Sequence, residues 1–569
     1  MKNILIKKYK AINNIDDLTF ESYKDVSKIK IHKGSLLTEY ENFVNALNNI
    51  KPTDRIVIHP DYDVDGIMGG LTAKISLDTF GIGKAELYYP KPSNGYGLSI
   101  TAVKEILKLW PDTKYILTVD NGINTKEAVD FAYNHNVKVI VTDHHEPKAA
   151  LFPDKAIAVV NPNRIDKDET YPFHSISGTE VIWKLMLAYA EDFQPDNYEI
   201  INSLDILSSI SIISDVMPVI DENRRIYKDA IEKLKNPNIL IKQAVNGKSL
   251  SYMSTFNGLY NLLDVIGKPV DYNTYGFLIS PILNAPRRML DSSKESFDVF
   301  TKIGEESKVA AKYVYEINEL RKEEVIKSNL RFNIWAKDKD LKTMAGIVFY
   351  DELLRPGIAG LIAQNIAEKF NVPAIALGTG GHGSGRTANN YNLLGILTEI
   401  EKENPEFYKS MGGHQAAAGL TVYNEYIDDF SNQFNKHAKN KDFQLITNST
   451  DIKDTRLSID IYDAPDTIEV REAVMEFNKI QPYSAEVPAP IYKVEFSLFE
   501  CTDIRIMKDI HIAFKFDNFE VIVWKGIDMY NSIDEDKPHT IIVSGELGLN
   551  TWNNKTTVQL IGNKIDIIQ

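Results

Sequence analysis

The feature that most constrains this chain is an apolar run cut off by carboxylates. Ile56-Val57-Ile58 is followed directly by His59-Pro60-Asp61-Tyr62-Asp63-Val64-Asp65-Gly66. Alternate residues of an extended chain face the same side, so this spacing lets Asp61, Asp63 and Asp65 converge. Crowded carboxylates repel one another unless a cation sits among them. An Asx-rich turn capping the next helix accounts for one such run equally well. Recurrence favours the metal site. Asp120-Asn121-Gly122 ends the run Tyr115–Val119, Asp143-His144-His145 ends Val137–Val141, and Asp215 closes the helical stretch Ile201–Ile213.

Between these clusters the chain alternates strand and helix with short connections. Strands are predicted at Asp54–Ile58, Ala85–Tyr89, Tyr115–Val119, Val137–Val141 and Ala156–Val160, with helices from Gly66 to Phe80, Ile100–Leu109 and Thr125–Asn134. That pattern implies an α/β fold, a parallel sheet covered by helices, whose strand ends share one crevice. At 569 residues the chain is too long for one core, and three or so domains are expected. One cysteine, Cys501, excludes an internal disulfide and any thiol-based zinc knuckle, which fits a reducing cytoplasm. The opening MKNILIKKYK has no long apolar run, so neither a leader nor a membrane anchor is expected. The net charge of −15 includes the acidic clusters and leaves room for a local basic groove.

A long helical pattern runs from Ser292 to about Trp335 and reads as a connector. A second α/β unit follows, with strands Ala345–Phe349 and Ala374–Leu377 around the helix Ile358–Lys369. It contains two glycine-rich segments, 380–387 and 412–419. Beyond Asp442 the pattern becomes short alternating strands, including Lys493–Phe499, His511–Phe516, Phe519–Trp524, Thr540–Gly545 and Thr557–Ile561. Turns are expected at Asp517-Asn518 and Asn553-Asn554, and the whole reads as a small closed barrel.

Carboxylates and imidazoles without thiols suit Mn²⁺ or Mg²⁺. A set shared among strand ends can hold two ions about 3.5–4 Å apart, the arrangement used in phosphoester hydrolysis. Asp120, alone at its strand end, is the natural bridging ligand, and Asp143 can orient an adjacent imidazole. Glycine marks tight turns, but it also lets backbone N–H groups approach an anion, with Ser384, Arg386 and Thr387 as further donors. Arg287 and Arg288 read as a surface charge pair. Trp524, Tyr530 and Trp552 fit core or scattered surface better than a base-stacking platform.

The motif set Asp61-Tyr62-Asp63-Val64-Asp65-Gly66, Val119-Asp120-Asn121-Gly122, Asp143-His144-His145 and Ser214-Asp215-Val216 resembles the DHH phosphoesterase superfamily. Gly412-Gly413-His414 with Ala417-Ala418-Gly419, and Gly383-Ser384-Gly385-Arg386, resemble its accessory DHHA1 domain. Asn284-Ala285 with Arg288, the connecting helix and the terminal barrel are similar to the RecJ branch of single-strand-specific 5′→3′ DNA exonucleases. The resemblance implies a DHH catalytic domain with its lead-in at 1–290, a connecting helix at 291–335, a DHHA1 domain at 336–442 and an OB-fold barrel at 443–569. It implies two Mn²⁺ or Mg²⁺ ions held by Asp63, Asp65, Asp120, His144 and Asp215, with His59 as a further ligand. Asp61 and Asp143 would be supporting acids, and His145 would contact the scissile phosphate. Asn284, Arg288, Ser384, Arg386, Thr387, Gly412, Gly413 and His414 would hold the substrate.

Two positions depart from the RecJ pattern. Leu354-Arg355-Pro356-Gly357 replaces Trp-His-x-Gly, and Arg287 stands where glycine is usual. The function implied is metal-dependent exonuclease action on single-stranded DNA in repair or recombination. The implied setting is a cytoplasmic monomer, with a single-strand-binding protein or helicase as further partner and no membrane. Two other readings remain open here: a phosphoesterase for short oligonucleotides or cyclic dinucleotides, and an inactive replication scaffold. A strand-binding barrel disfavours the former, and the intact set of motif acids disfavours the latter.

Overall fold

The computed structural model describes residues 2–164, 166, 171–387, 391–443, 456–458, 468–517, 519–533, 539–552 and 555–568. The chain divides into two compact units, 32–217 with 229–449, and 1–31 with 218–228 and 450–569. Among the described residues no helix is long and apolar enough to cross a membrane.

The larger unit holds two sheets. The first is parallel, with strands β1 (Arg55–Pro60), β2 (Lys84–Leu87), β3 (Thr113–Val119), β4 (Lys138–Thr142) and β5 (Ala158–Val160) in the order β2-β1-β3-β4-β5. Its strands are buried almost throughout, as a sheet covered on both faces requires. The strand order reverses between β1 and β3, and ligands of such sheets collect at that switch point, outside the carboxyl ends. The chain leaves β1 through a helix, Val64–Phe80, capped by Asp63 and stopped by Gly81 at φ 69.

The expected long connector is two helices, Lys294–Thr301 and Gly304–Ala336. Gly304 at φ 57 turns the chain between them, and its N–H donates to Asn257 Oδ1 at 3.0 Å. The second sheet comprises β6 (Ile347–Tyr350), β7 (Ala374–Leu377), β8 (His382–Arg386), β9 (Tyr408–Gly413) and β10 (Ala417–Val422) in the order β6-β7-β8-β10-β9. This corrects one expectation. The Gly383-Ser384-Gly385-Arg386 segment is a central strand paired to β7 and β10, not a loop offering free N–H groups to an anion. Its glycines serve close packing, since a Cβ on Gly383 would lie 2.0 Å from the Ala376 carbonyl.

The smaller unit is built on a seven-stranded sheet. Its strands are β11 (Leu457–Ser458), β12 (Tyr492–Phe496), β13 (Asp503–Met507), β14 (His511–Lys515), β15 (Glu520–Val523), β16 (Thr540–Trp552) and β17 (Lys555–Ile568). The ladder runs β11-β12-β16-β17-β15-β14-β13. Among the described residues no pairing joins β11 to β13, so hydrogen bonds do not close the sheet into a barrel. Asn518 and the turn residues 553–554 lie outside the described residues.

The amino-terminal lead-in belongs to this unit, not to the sheet it precedes in sequence. Leu5, Tyr9 and Phe20 share one core with Phe477, Tyr492 and Phe514. Arg224 fastens the same unit. It is fully buried, and its guanidinium donates to the carbonyls of Pro482 at 3.1 Å, Tyr23 at 3.1 Å, Gln481 at 3.3 Å and Ile480. Arg224→Met should strand these acceptors and destabilise the chain by on the order of 3 kcal/mol, read as a lower urea midpoint. An unchanged midpoint would show that these hydrogen bonds contribute nothing net.

Candidate metal centre

Three backbone hydrogen bonds place the acids at the sheet's carboxyl edge. Asp61 N–H donates to the Val119 carbonyl at 3.1 Å, Asp120 N–H to Thr142 at 3.0 Å and Asp143 N–H to Val160 at 3.0 Å. Each acid therefore extends its own strand by one rung onto the next. Asp120 takes φ 62 there, and a Cβ on Gly178 would come within 2.5 Å of the Asp120 Cβ. Only a glycine at 178 leaves room for that carboxylate.

The three acids of the first cluster converge differently from the expected extended run. Asp61 follows β1, Asp63 is the N-cap of the helix Val64–Phe80, and Asp65 lies in its first turn. Asp63 Oδ1 accepts from the N–H groups of Asp65 at 3.1 Å and Gly66 at 3.3 Å, so the capping turn and the cluster are one structure. Asp65 reaches the start of the helix Gly178–Phe193, accepting from Gly178 N–H at 2.7 Å and Thr179 N–H at 2.8 Å. Thr179 Oγ1 in turn accepts from Ser211 Oγ at 2.7 Å, on the helix Asp205–Ser214 that ends at Asp215.

His144 stands at the centre of this arrangement. Its Nε2 lies 3.2 Å from Asp120 Oδ1, 3.4 Å from Asp215 Oδ2 and 3.8 Å from Asp65 Oδ2. Asp143 holds the neighbouring ring: its Oδ1 lies 2.8 Å from His145 Nδ1 and accepts from the N–H groups of both histidines. The Tyr96 hydroxyl lies 2.9 Å from both His145 ring nitrogens and 3.2 Å from the Asp120 carbonyl.

Among the described residues three groups have ligand atoms within 4.8 Å of one another: Asp61/Asp63/Asp120, Asp65/His144/Asp215 and Asp120/His144/His145. Asp120 belongs to two of them and His144 to two, so the groups form one continuous set. His59 is in none of these groups. It lies within β1, buried and stacked on Tyr88 at 5.2 Å, because the strand continues through Pro60.

The electrostatics are those of a site lacking its counter-charge. Burial, then Asp63, pushes Asp61 well above the usual carboxylate range, and burial, then Asp65, does the same to Asp120. Asp215 is pushed up to about 8 by burial and the charges of Asp65 and Asp63. Burial keeps His144 below its ordinary value and brings His59 down to about 4. Burial opposes the charge on His145, but the Asp143 hydrogen bond and surrounding carboxylates raise it to about 9. Among the described residues, the buried atoms Asp61 Oδ1, Asp120 Oδ1 and His144 Nε2 have no hydrogen-bond partner. Orphaned oxygens and an imidazole nitrogen aimed at one another fit divalent cations of the Mn²⁺ or Mg²⁺ kind.

The predicted substrate residues divide. Arg288 Nη1 donates to the Gly357 carbonyl at 3.4 Å and Arg386 Nη1 to Gly385 at 2.7 Å, and neither is ion-paired among the described residues. Burial and the charges of Arg287, Arg321 and Arg386 bring Arg288 down to about 9. Asn284 accepts from Arg287 Nε at 2.6 Å, and Thr387 Oγ1 is buried with no partner among the described residues. Ser384 shares a strand face with Arg386. Gly412 and Gly413 end the edge strand β9, where they and His414 are exposed. Arg287, Arg321 and Tyr96 were not singled out from sequence as site residues. Arg287 read as a surface charge, Arg321 as one charge in a Glu/Lys-rich helix, and Tyr96 as part of a turn.

Comparison with known proteins agrees with this geometry. Residues 55–209 match the DHH family N-terminal domain, 343–440 the DHHA1 domain and 459–563 the RecJ OB domain. The single-stranded-DNA-specific exonuclease RecJ of Bacillus subtilis is 28% identical over 90% of this chain, which spans 61% of that protein's length. The Escherichia coli RecJ is 26% identical over 82% of this chain and 79% of its own. Among solved structures, RecJ of Thermus thermophilus in complex with Mn²⁺ aligns with a TM-score of 0.72. That alignment has 21% identity and covers 93% of this chain and 72% of the other; the fold is shared. A Mg²⁺ complex of the same protein gives 0.67.

The raised values of Asp215 and His145 have the same consequence for the metal-free chain. Asp215 binds more protons folded than unfolded from about pH 4 up to about 8, and His145 from about 6.5 to about 9. Stability should therefore fall as pH rises through that window, and Mn²⁺ should raise the melting temperature more at pH 8 than at pH 6. A metal-induced shift independent of pH would contradict the cluster as the binding site. Asp120→Asn should remove that shift while raising the melting temperature of the metal-free chain, because one repelling carboxylate is gone.

Proposed function

Since this chain carries DHH, DHHA1 and RecJ OB domains and is homologous to the RecJ exonucleases, we propose that it removes nucleotides from the 5′ end of single-stranded DNA. The observation that carries this reading is a buried acid and imidazole set beside a patch of unpaired guanidinium groups in one compact unit. Asp63, Asp65, Asp120, His144 and Asp215 would hold the metals, with Asp61 as a supporting acid. When bound, the ions supply activation of water and neutralise charge building on phosphorus.

The chain's own residues do the rest. The hydrogen bond that His145 donates to Asp143 keeps the ring cationic and oriented, so it is suited to donate to a non-bridging oxygen of the scissile phosphate. The Tyr96 hydroxyl, 2.9 Å from both ring nitrogens, holds the same ring. Arg288, Ser384 and Arg386 grip phosphate, with Asn284, Thr387 and the edge at Gly412, Gly413 and His414 bordering the path. The OB domain adds affinity for a long strand, and Trp524 is 53% exposed there beside His511, free to stack on a base. Tyr530 instead packs toward the core near Phe514. The chain acts as a monomer, with a single-strand-binding protein or helicase delivering its substrate.

A time course on end-labelled single-stranded DNA, duplex and RNA with Mn²⁺, Mg²⁺ or EDTA tests this function. Mononucleotide release from single-stranded DNA alone, lost in EDTA, is expected. Release only from dinucleotides would establish the small-substrate reading instead. Arg386→Ala should weaken strand binding by about 1–3 kcal/mol and leave Mn²⁺ affinity unchanged. Loss of the metal in that variant would make Arg386 a structural support.

A further inference from the structure

The helix Gly304–Ala336 has two unlike faces. Its inner face is core, with Ala311, Val314 and Phe332 buried. Its outer face carries Val309, Tyr313, Leu320, Leu330 and Ile334, each between 48% and 65% exposed. Single exposed apolar residues are ordinary, but five aligned on one helix make a continuous strip, the mark of a contact surface. The strip also has a defined period. From Val309, alternating steps of four and three residues reach every one of these side chains, the spacing of a coiled-coil seam. The three remaining positions of that series are charged: Glu316, Glu323 and Lys327.

The order of these side chains selects what fits the face. The series is symmetric about the point midway between Arg321 and Lys322. Laid against itself in reverse, it sets Val309 against Ile334, Tyr313 against Leu330, Leu320 beside Glu323 and Glu316 against Lys327. Apolar then meets apolar at both ends, and opposite charges meet nearer the middle. Lys327 already lies 3.8 Å from Glu323 of its own chain, but both side chains are well exposed. Water weakens that pair, and the ammonium keeps donors for a second carboxylate. A parallel arrangement would instead place Glu316 on Glu316, Glu323 on Glu323 and Lys327 on Lys327. Like charges face to face oppose such a contact.

We propose that this face docks on the same face of a second copy of the chain, antiparallel, about a twofold axis between Arg321 and Lys322. Such a contact is isologous and closes at two chains. The strip is about 38 Å long at 1.5 Å per residue. One helix from each chain is a small interface beside the ~1,200–2,000 Å² that stable complexes bury, so the dimer forms only at high concentration. Every residue proposed for the metals and the substrate comes from one chain, so each copy cleaves by itself.

Sedimentation velocity of the full chain, from about 1 to about 200 µM, tests the proposal. The unmodified chain should pass from monomer to dimer over that range. Lys327→Glu meets Glu316 with a like charge and should weaken association about tenfold. Leu330→Glu should abolish it. Glu316→Lys combined with Lys327→Glu only exchanges the pair, and should bring the dimer back to within about threefold of the unmodified chain. The nuclease rate per chain should be the same in all of them, since none of these positions belongs to the site. A chain that stays monomeric at the top of the range, or a dimer indifferent to Leu330→Glu, would overturn the proposal. Association weakened by Lys327→Glu but not restored by the exchange would overturn the antiparallel register.

Discussion

The repulsion among carboxylates gathered at the carboxyl edge of the parallel sheet is the interaction on which the rest of this structure depends. Five elements bring it about: the ends of β1, β3 and β4, the N-cap of one helix and the C-cap of another. Backbone geometry alone forces the approach, through strand-to-strand hydrogen bonds and the absence of a side chain at Gly178. Burial, and after it the neighbouring carboxylates, holds Asp61, Asp120 and Asp215 above the usual carboxylate range in the metal-free chain. A divalent cation replaces the protons those groups hold and couples folding to metal. The same elements that carry the acids are tied by Asp65, Thr179 and Ser211, so metal, sheet edge and helix ends form one connected assembly.

Opposite charge lies next to this centre and is organised by the same logic in reverse. Arginines there are tethered to asparagines and carbonyls and, among the described residues, form no ion pair within 4 Å, though Arg287 feels Asp61 and Arg288 feels Asp63. Two opposite deficits of charge thus lie in one compact unit, so the negative total charge of the chain says little about the polarity of the site.

Much of this was legible in the sequence because it is local. Short apolar runs ending in Asp61, Asp120 and Asp143 announce both the strand ends and the acids that follow them, and the β–α alternation fixes a parallel sheet. What was not legible depends on distant partners. Gly383 and Gly385 read as turn residues, yet they form a central strand, since a glycine demanded by sheet packing has the same letter as one demanded by a turn. His59 sits in the motif but faces Tyr88, because the strand runs two residues further than its β-branched run. Residues 1–31 carry no local sign that their core lies with strands more than four hundred residues away. Arg321 is hidden among the ordinary charges of a long helix, and only its place beside Arg288 in the folded chain sets it apart.

The central claim is that the crowded acids and His144 form a centre for two divalent ions. Anomalous diffraction from a crystal of the full chain grown with Mn²⁺, at a neutral to basic pH, tests this most directly. The account predicts two peaks about 3.5–4 Å apart, both within coordination distance of Asp120, with His144 and Asp215 on at least one. A single peak remote from Asp120, or no ordered manganese in this cluster, would contradict it.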